Sequence, residues 1–108
     1  MTDFSKQKCV ACEGGIPPLS AKEVKLNLTF VKGWKSLNDL EIVKEFMFKD
    51  FKSGLVFVNK VGELAEKEGH HPNVFLMYGK VRITLMTHAV KGLSVNDFVL
   101  AAKIDKIK

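Results

Sequence analysis

A chain of 108 residues with 46% hydrophobic and 27% charged side chains is the size of one domain around one core, with an ordinary globular composition. Its net charge of +5 comes from lysines scattered along the whole length and the single Arg82, without the clustered basic footprint of a nucleic-acid binder. No apolar run approaches the ~20 residues that span a bilayer and the N-terminus lacks a signal-peptide apolar region, so a cytoplasmic protein with no nucleic-acid or membrane partner is expected.

In chain order, residues 1–18 come first. They hold Gly14-Gly15 and Pro17-Pro18 and lack apolar periodicity, which reads as a flexible arm or lid. Cys9 and Cys12 form a C-x-x-C pair, a spacing that suits a redox couple or half of a zinc site. No strand-to-helix context surrounds the pair, and no second pair completes four ligands. The reading is two reduced thiols in a mobile arm.

Ser20-x-x-Glu23 is a capping box that opens a helix over 20–30, with Val24, Leu28 and Val31 on one side. Gly33 stops it, and 34–37 reads as a short strand. Asn38-Asp39 is a turn signal. Residues 41–48 alternate as a strand does. Asp50 caps a long helix over 51–68 with apolar residues at helical spacing, from Phe51 through Leu55, Val58 and Val61 to Ala65. Gly54 and Gly62 inside it suggest close packing on a neighbour, and Gly69 suits its C-terminal cap.

Two alternating runs follow, 73–78 and 81–88, with Gly79-Lys80 between them as a two-residue hairpin loop. Ser94-x-x-Asp97 is a second capping box, before a helix over 95–106. The fold class expected is α+β: a four-stranded antiparallel sheet with three helices packed on one face. One domain spans 19–108.

The chain has three histidines, His70, His71 and His88. A loop at Gly79-Lys80 pairs Tyr78 with Val81, Leu76 with Ile83, Val74 with Leu85, and His71 with His88. That register puts Val74, Leu76, Tyr78, Val81, Ile83 and Leu85 on one apolar face, and a slip of one residue scrambles it. It therefore expects Tyr78 in the core and two imidazoles side by side. His70 sits beside them where the long helix ends, and Pro72 biases His71 away from helix. Glu66, one turn before His70, and Asp97, just past His88, are carboxylates placed to orient an imidazole; Asp97 reads equally as a cap. Trp34 is either core or a stacking plate for a flat ligand. Converging imidazoles suit proton transfer near neutral pH, and metal ligation is the alternative chemistry.

The pattern Glu66-x3-His70-His71-Pro72-x5-Tyr78-x9-His88-x8-Asp97 resembles the signature of the pterin-4a-carbinolamine dehydratases. So do Leu19-Ser20-Ala21-Lys22-Glu23, Gly33-Trp34, Phe48-Lys49-Asp50-Phe51 and Lys80 to His88, over roughly residues 19–105. The resemblance implies a hydro-lyase that removes water from a 4a-hydroxy-tetrahydropterin, giving the quinonoid dihydropterin. This recycles the cofactor of aromatic amino acid hydroxylases, and no metal or organic cofactor is used. It implies His70, His71 and His88 as catalytic residues, with His71 and His88 at the 4a-hydroxyl and His70 as base or ring-binding group. Asp97 would orient His88, Glu66 would support His70, and Pro72 and Trp34 would contact substrate. A homodimer or homotetramer is expected. Animal-type members have an acidic residue and a tryptophan after His-His-Pro, where this chain has Asn73-Val74, a change at the expected pocket rim. The other reading is a non-catalytic dimerisation module on the same fold, like the transcriptional cofactor role of an animal member. The complete histidine set speaks for the enzyme.

Overall fold

Ser20 Oγ accepts a hydrogen bond from Glu23 N while the Glu23 carboxylate accepts one from Ser20 N, closing the capping box that starts helix α1 (Ala21–Leu28). The computed structural model describes residues 2–10 and 17–107. Strands β1 (Lys35–Leu37) and β2 (Glu41–Met47) follow. The turn between them has Asn38 and Asp39 left-handed, at φ 55° and 59°, as a tight hairpin turn requires. Asp50 Oδ1 accepts from Ser53 N at 2.8 Å and caps α2 (Phe51–Glu68). Strands β3 (Asn73–Met77) and β4 (Lys80–Leu85), a short 3₁₀ turn (His88–Val90) and α3 (Val95–Ile107) complete the chain.

The sheet is antiparallel with strand order β1-β2-β4-β3, and the helices cover one face of it. Ile42 and Phe46 of β2 and Val81, Ile83 and Leu85 of β4 join Phe57 and Val61 of α2 and Phe98, Ala101 and Ile104 of α3 in one buried cluster. Each Val, Leu, Ile or Phe side chain among them contributes about 1.5–3 kcal/mol by leaving water, so this layer contact holds the sheet to the helices. A Cβ at Gly54 would lie 3.1 Å from Leu76 Cδ1, so that glycine lets α2 close on β3, whereas Gly62 faces open space. Among the described residues no helix is long and apolar enough to cross a membrane.

The β3–β4 register differs from the expected one. Met77 pairs with Lys80, Leu76 with Val81 and Val74 with Ile83, so the loop is Tyr78-Gly79. Gly79 takes φ 75° at the second loop position, where a turn of this kind needs a left-handed residue. The shift amounts to two residues, which preserves the faces because strand side chains alternate with period two. It removes the His71–His88 pair: continuing the count puts Met86 opposite His71, and His88 lies beyond β4 in the 3₁₀ turn. It also moves Tyr78 to the hairpin tip, where it is exposed rather than core.

Near the N-terminus, described residues pack on the domain. Residues Phe4–Lys6 form a 3₁₀ turn against α3. Phe4 is buried between Phe30 and Phe98, with ring centroids 6.0 and 5.8 Å away. With this turn on one side and α2 on the other, α3 is buried continuously from Asn96 to Ala101. Cys12 lies outside the described residues.

Candidate active site

Gly69 ends α2 in a left-handed conformation, φ 68°, with its N–H and that of His70 both turned to the Ala65 carbonyl. A side chain would strain this reversal, which only glycine makes freely. The reversal carries His70 towards the start of α3. There His70 Nε2 lies 2.6 Å from Asp97 Oδ1, with the imidazole nearly buried and Asp97 fully so.

Asp97 is held from the other side as well. Its Oδ2 accepts from Ser94 N at 3.0 Å and from Thr87 Oγ1 at 2.8 Å, and the Thr87 and Ser94 hydroxyls are 2.8 Å apart. The Ser94 amide bond is half of a capping box, and a carboxylate in the first turn also complements the helix dipole. One carboxylate thus starts the helix with one oxygen and holds an imidazole with the other. With Oδ2 accepting from two donors, the carboxylate takes the hydrogen of His70 Nε2 at Oδ1, and in the neutral ring Nδ1 then carries the lone pair. This is the arrangement by which a buried carboxylate fixes the tautomer of a catalytic histidine.

The other two imidazoles are at the surface. His71 Nε2 pairs with Glu66 Oε2, and both side chains are exposed. His88 is exposed in the 3₁₀ turn after Thr87, and its side chain has no hydrogen-bond partner among the described residues. All three imidazoles border one depression of about 280 Å³, together with Thr87, Asn96 and Val10. A nearly buried imidazole held by a carboxylate therefore lies beside two solvent-facing histidines around one space.

The family profile described as "Pterin 4 alpha carbinolamine dehydratase" matches residues 17–107. A protein of Alkaliphilus metalliredigens named as a pterin-4-alpha-carbinolamine dehydratase is 50% identical over 107 residues, covering 98% of this chain and 96% of that one. The chain belongs to the pterin-4a-carbinolamine dehydratase family. A similarly named protein of Rubrobacter xylanophilus is 39% identical, covering 99% of this chain and 100% of its own. The crystal structure of a transcriptional coactivator/pterin dehydratase from Brucella melitensis superposes with a TM-score of 0.78 at 33% identity, covering 83% of this chain and 97% of that one.

In this member of the pterin dehydratase family the expected carboxylate pairings are exchanged. Asp97 holds His70, not His88, and Glu66 pairs with His71, not His70. The exchange follows from local geometry. The Gly69 reversal swings His70 away from α2 and over to α3, while His71 returns to the last turn of α2. Trp34 is a core residue: it packs edge-on against Phe46, and Nε1 donates to both Asp105 oxygens at 3.1 Å. Neither Trp34 nor Pro72 borders the depression; Pro72 stands between His71 and the first residue of β3.

Thr87, Asn96 and Val10 were not singled out in the sequence. Thr87 lies in the family-like stretch from Lys80 to His88 without marking a role of its own, and Asn96 carries no signal beyond its place next to Asp97. Cys9 is directed away from chemistry. Burial first, and the Glu68 carboxylate second, push its thiol up to about 12, and its Sγ faces Asn96 O at 3.6 Å. A thiol so disposed is a poor nucleophile or metal ligand.

Proposed function

We propose that the protein dehydrates 4a-hydroxy-tetrahydropterins to quinonoid dihydropterins, as a hydro-lyase working by histidine acid–base catalysis. The observation that carries this reading is the single depression bordered by His70, His71 and His88, with His70 locked by the buried Asp97. Family membership supplies the substrate class.

The elimination needs a base for a ring N–H and an acid for the leaving hydroxyl. His70 takes the base role, since Asp97 occupies its Nε2 hydrogen and leaves Nδ1 to accept. The ring N–H proton passes to His70, and its bonding pair becomes the new ring C=N bond. The C4a–O bond breaks, and the hydroxyl leaves as water with a proton from His71 or His88 on the open side. Solvent returns a proton to the exposed imidazole that gave one, and the proton that His70 accepted passes out to solvent through the open depression, so that the cycle closes. Positioned acid–base groups of this kind supply about 10²–10⁴-fold each.

The test is His88→Ala, assayed by stopped-flow decay of enzymatically generated 4a-hydroxy-tetrahydropterin. The rate falls by about 10²–10⁴ if His88 shares the acid role, while the fold persists because the side chain is exposed. Unchanged turnover would reduce His88 to a surface residue.

The family resemblance also implies a homodimer or homotetramer. Exposed apolar side chains favour it: Leu55 and Val56 on α2, and Val74 and Phe75 on the edge strand β3. Light scattering on the purified protein tests this, and a monomer at micromolar concentration would contradict it.

A further inference from the structure

Asn96 is buried in the first turn of α3, one residue before Asp97. Both ends of its amide bind the backbone of one residue in the N-terminal segment. Val10 N donates to Asn96 Oδ1 at 2.9 Å, and Asn96 Nδ2 donates to Val10 O at 2.5 Å. The preceding residue is held too. Cys9 N donates to Glu68 Oε1 at 3.0 Å, and Glu68 Oε2 accepts from Lys103 Nζ at 2.9 Å. The end of α2, the flank of α3 and the N-terminal segment are tied together here.

A primary amide that both accepts from and donates to one residue's backbone imitates a strand partner. It fixes the position of Val10 rather than merely keeping it near. Core packing does not require this, because the Val10 side chain is 69% exposed. What the clamp achieves is to set Val10 at the edge of the histidine depression.

At about 280 Å³, that depression is just below the ~300–1,000 Å³ usual for small-molecule sites. A space this small holds little beyond a bicyclic head, which directs a ring substituent over the rim. We infer that Val10 is a specificity-determining wall of the site, selecting the pterin substituent, and that Asn96 is the positioning residue that holds it there. The inference rests on the dehydratase reading above.

The test compares wild type, Asn96→Ala and Val10→Ala on two 4a-hydroxy-tetrahydropterins, one with a methyl and one with a dihydroxypropyl substituent. KM and kcat are measured separately. In Asn96→Ala the ratio of the two KM values should change about tenfold, the scale of one or a few lost pocket contacts, with kcat changing much less. Val10→Ala should move the ratio in the same direction. Amide exchange at Val10 should accelerate in Asn96→Ala by about tenfold or more while the later turns of α3 stay protected. A merely structural role for Asn96 would lower stability without moving the KM ratio.

Unchanged ratios in both variants would overturn the inference. Should Asn96→Ala not fold, Val10→Ala decides alone, since its site is exposed, and an unchanged ratio there also overturns it. A wild-type protein that neither binds nor dehydrates either pterin refutes the dehydratase reading. A wild-type protein that turns both over, with variants that do not change the preference, refutes this inference only.

Discussion

Asp97→Asn isolates the role of the buried carboxylate, because the substitution keeps shape and removes charge. The backbone N–H of Ser94 points at Oδ2 from 3.0 Å, and a backbone amide only donates. The new side-chain carbonyl oxygen must therefore take the Oδ2 position. Its NH2 group then falls where Oδ1 stood, 2.6 Å from His70 Nε2. That nitrogen has to accept, the ring proton moves to Nδ1, and the base loses the lone pair it offers to substrate. Fixing the wrong tautomer of a catalytic histidine in this way costs on the order of 10⁴ in kcat, and loss of a general base costs about 10²–10⁴. The expected fall in kcat is thus about 10²–10⁴. Weakening the charge-assisted bonds lowers stability by only about 1–3 kcal/mol, so the variant remains folded. The assay is stopped-flow decay of the 4a-hydroxy-tetrahydropterin, with urea denaturation as the control for folding. A folded variant with kcat within about threefold of wild type would refute the tautomer account, since the effect of a catalytic base is far larger.

Glu66→Gln should do much less, because its partner His71 and Glu66 itself are 60% and 79% exposed and solvent screens such pairs. We expect kcat to fall by less than about tenfold in the same assay; a loss as large as that of Asp97→Asn would move the base role to His71. Phe4→Ala removes a buried ring packed on Phe30 and Phe98 and should cost about 3 kcal/mol in urea denaturation. Unchanged stability would mean that the N-terminal turn does not belong to the core. Because the Cys9 thiol is raised from 9.0 to about 12, iodoacetamide at about pH 8 should label it about a thousandfold more slowly than an unperturbed thiol. Labelling at Cys9 at the ordinary rate, read by mass spectrometry, would contradict the half-buried placement beside Glu68.

Much of the fold was legible because its signals are local. Ser20-x-x-Glu23, Asp50 and Gly69 each mark a helix end, and the structure uses each of them there. The strand faces were legible too, since a two-residue error in register leaves alternation intact. The register itself was not. Tyr78-Gly79 and Gly79-Lys80 are both plausible loops, and the difference lies in which loop position takes the left-handed conformation. That the three histidines gather around one space was readable, but their pairings were not. Glu66 and Asp97 are each within reach of two imidazoles by sequence distance, and only the direction of the Gly69 reversal decides between them. Docking of the N-terminal residues was hidden for another reason: it depends on side chains far along the chain, Phe98 for Phe4 and the buried Asn96 for Val10.

The most direct measurement of the central claim is the decay of 4a-hydroxy-tetrahydropterin with and without micromolar wild-type protein, followed by stopped-flow absorbance. The account predicts rapid, catalytic conversion to the quinonoid dihydropterin, with each protein molecule turning over many substrates. Decay at the uncatalysed rate would contradict it.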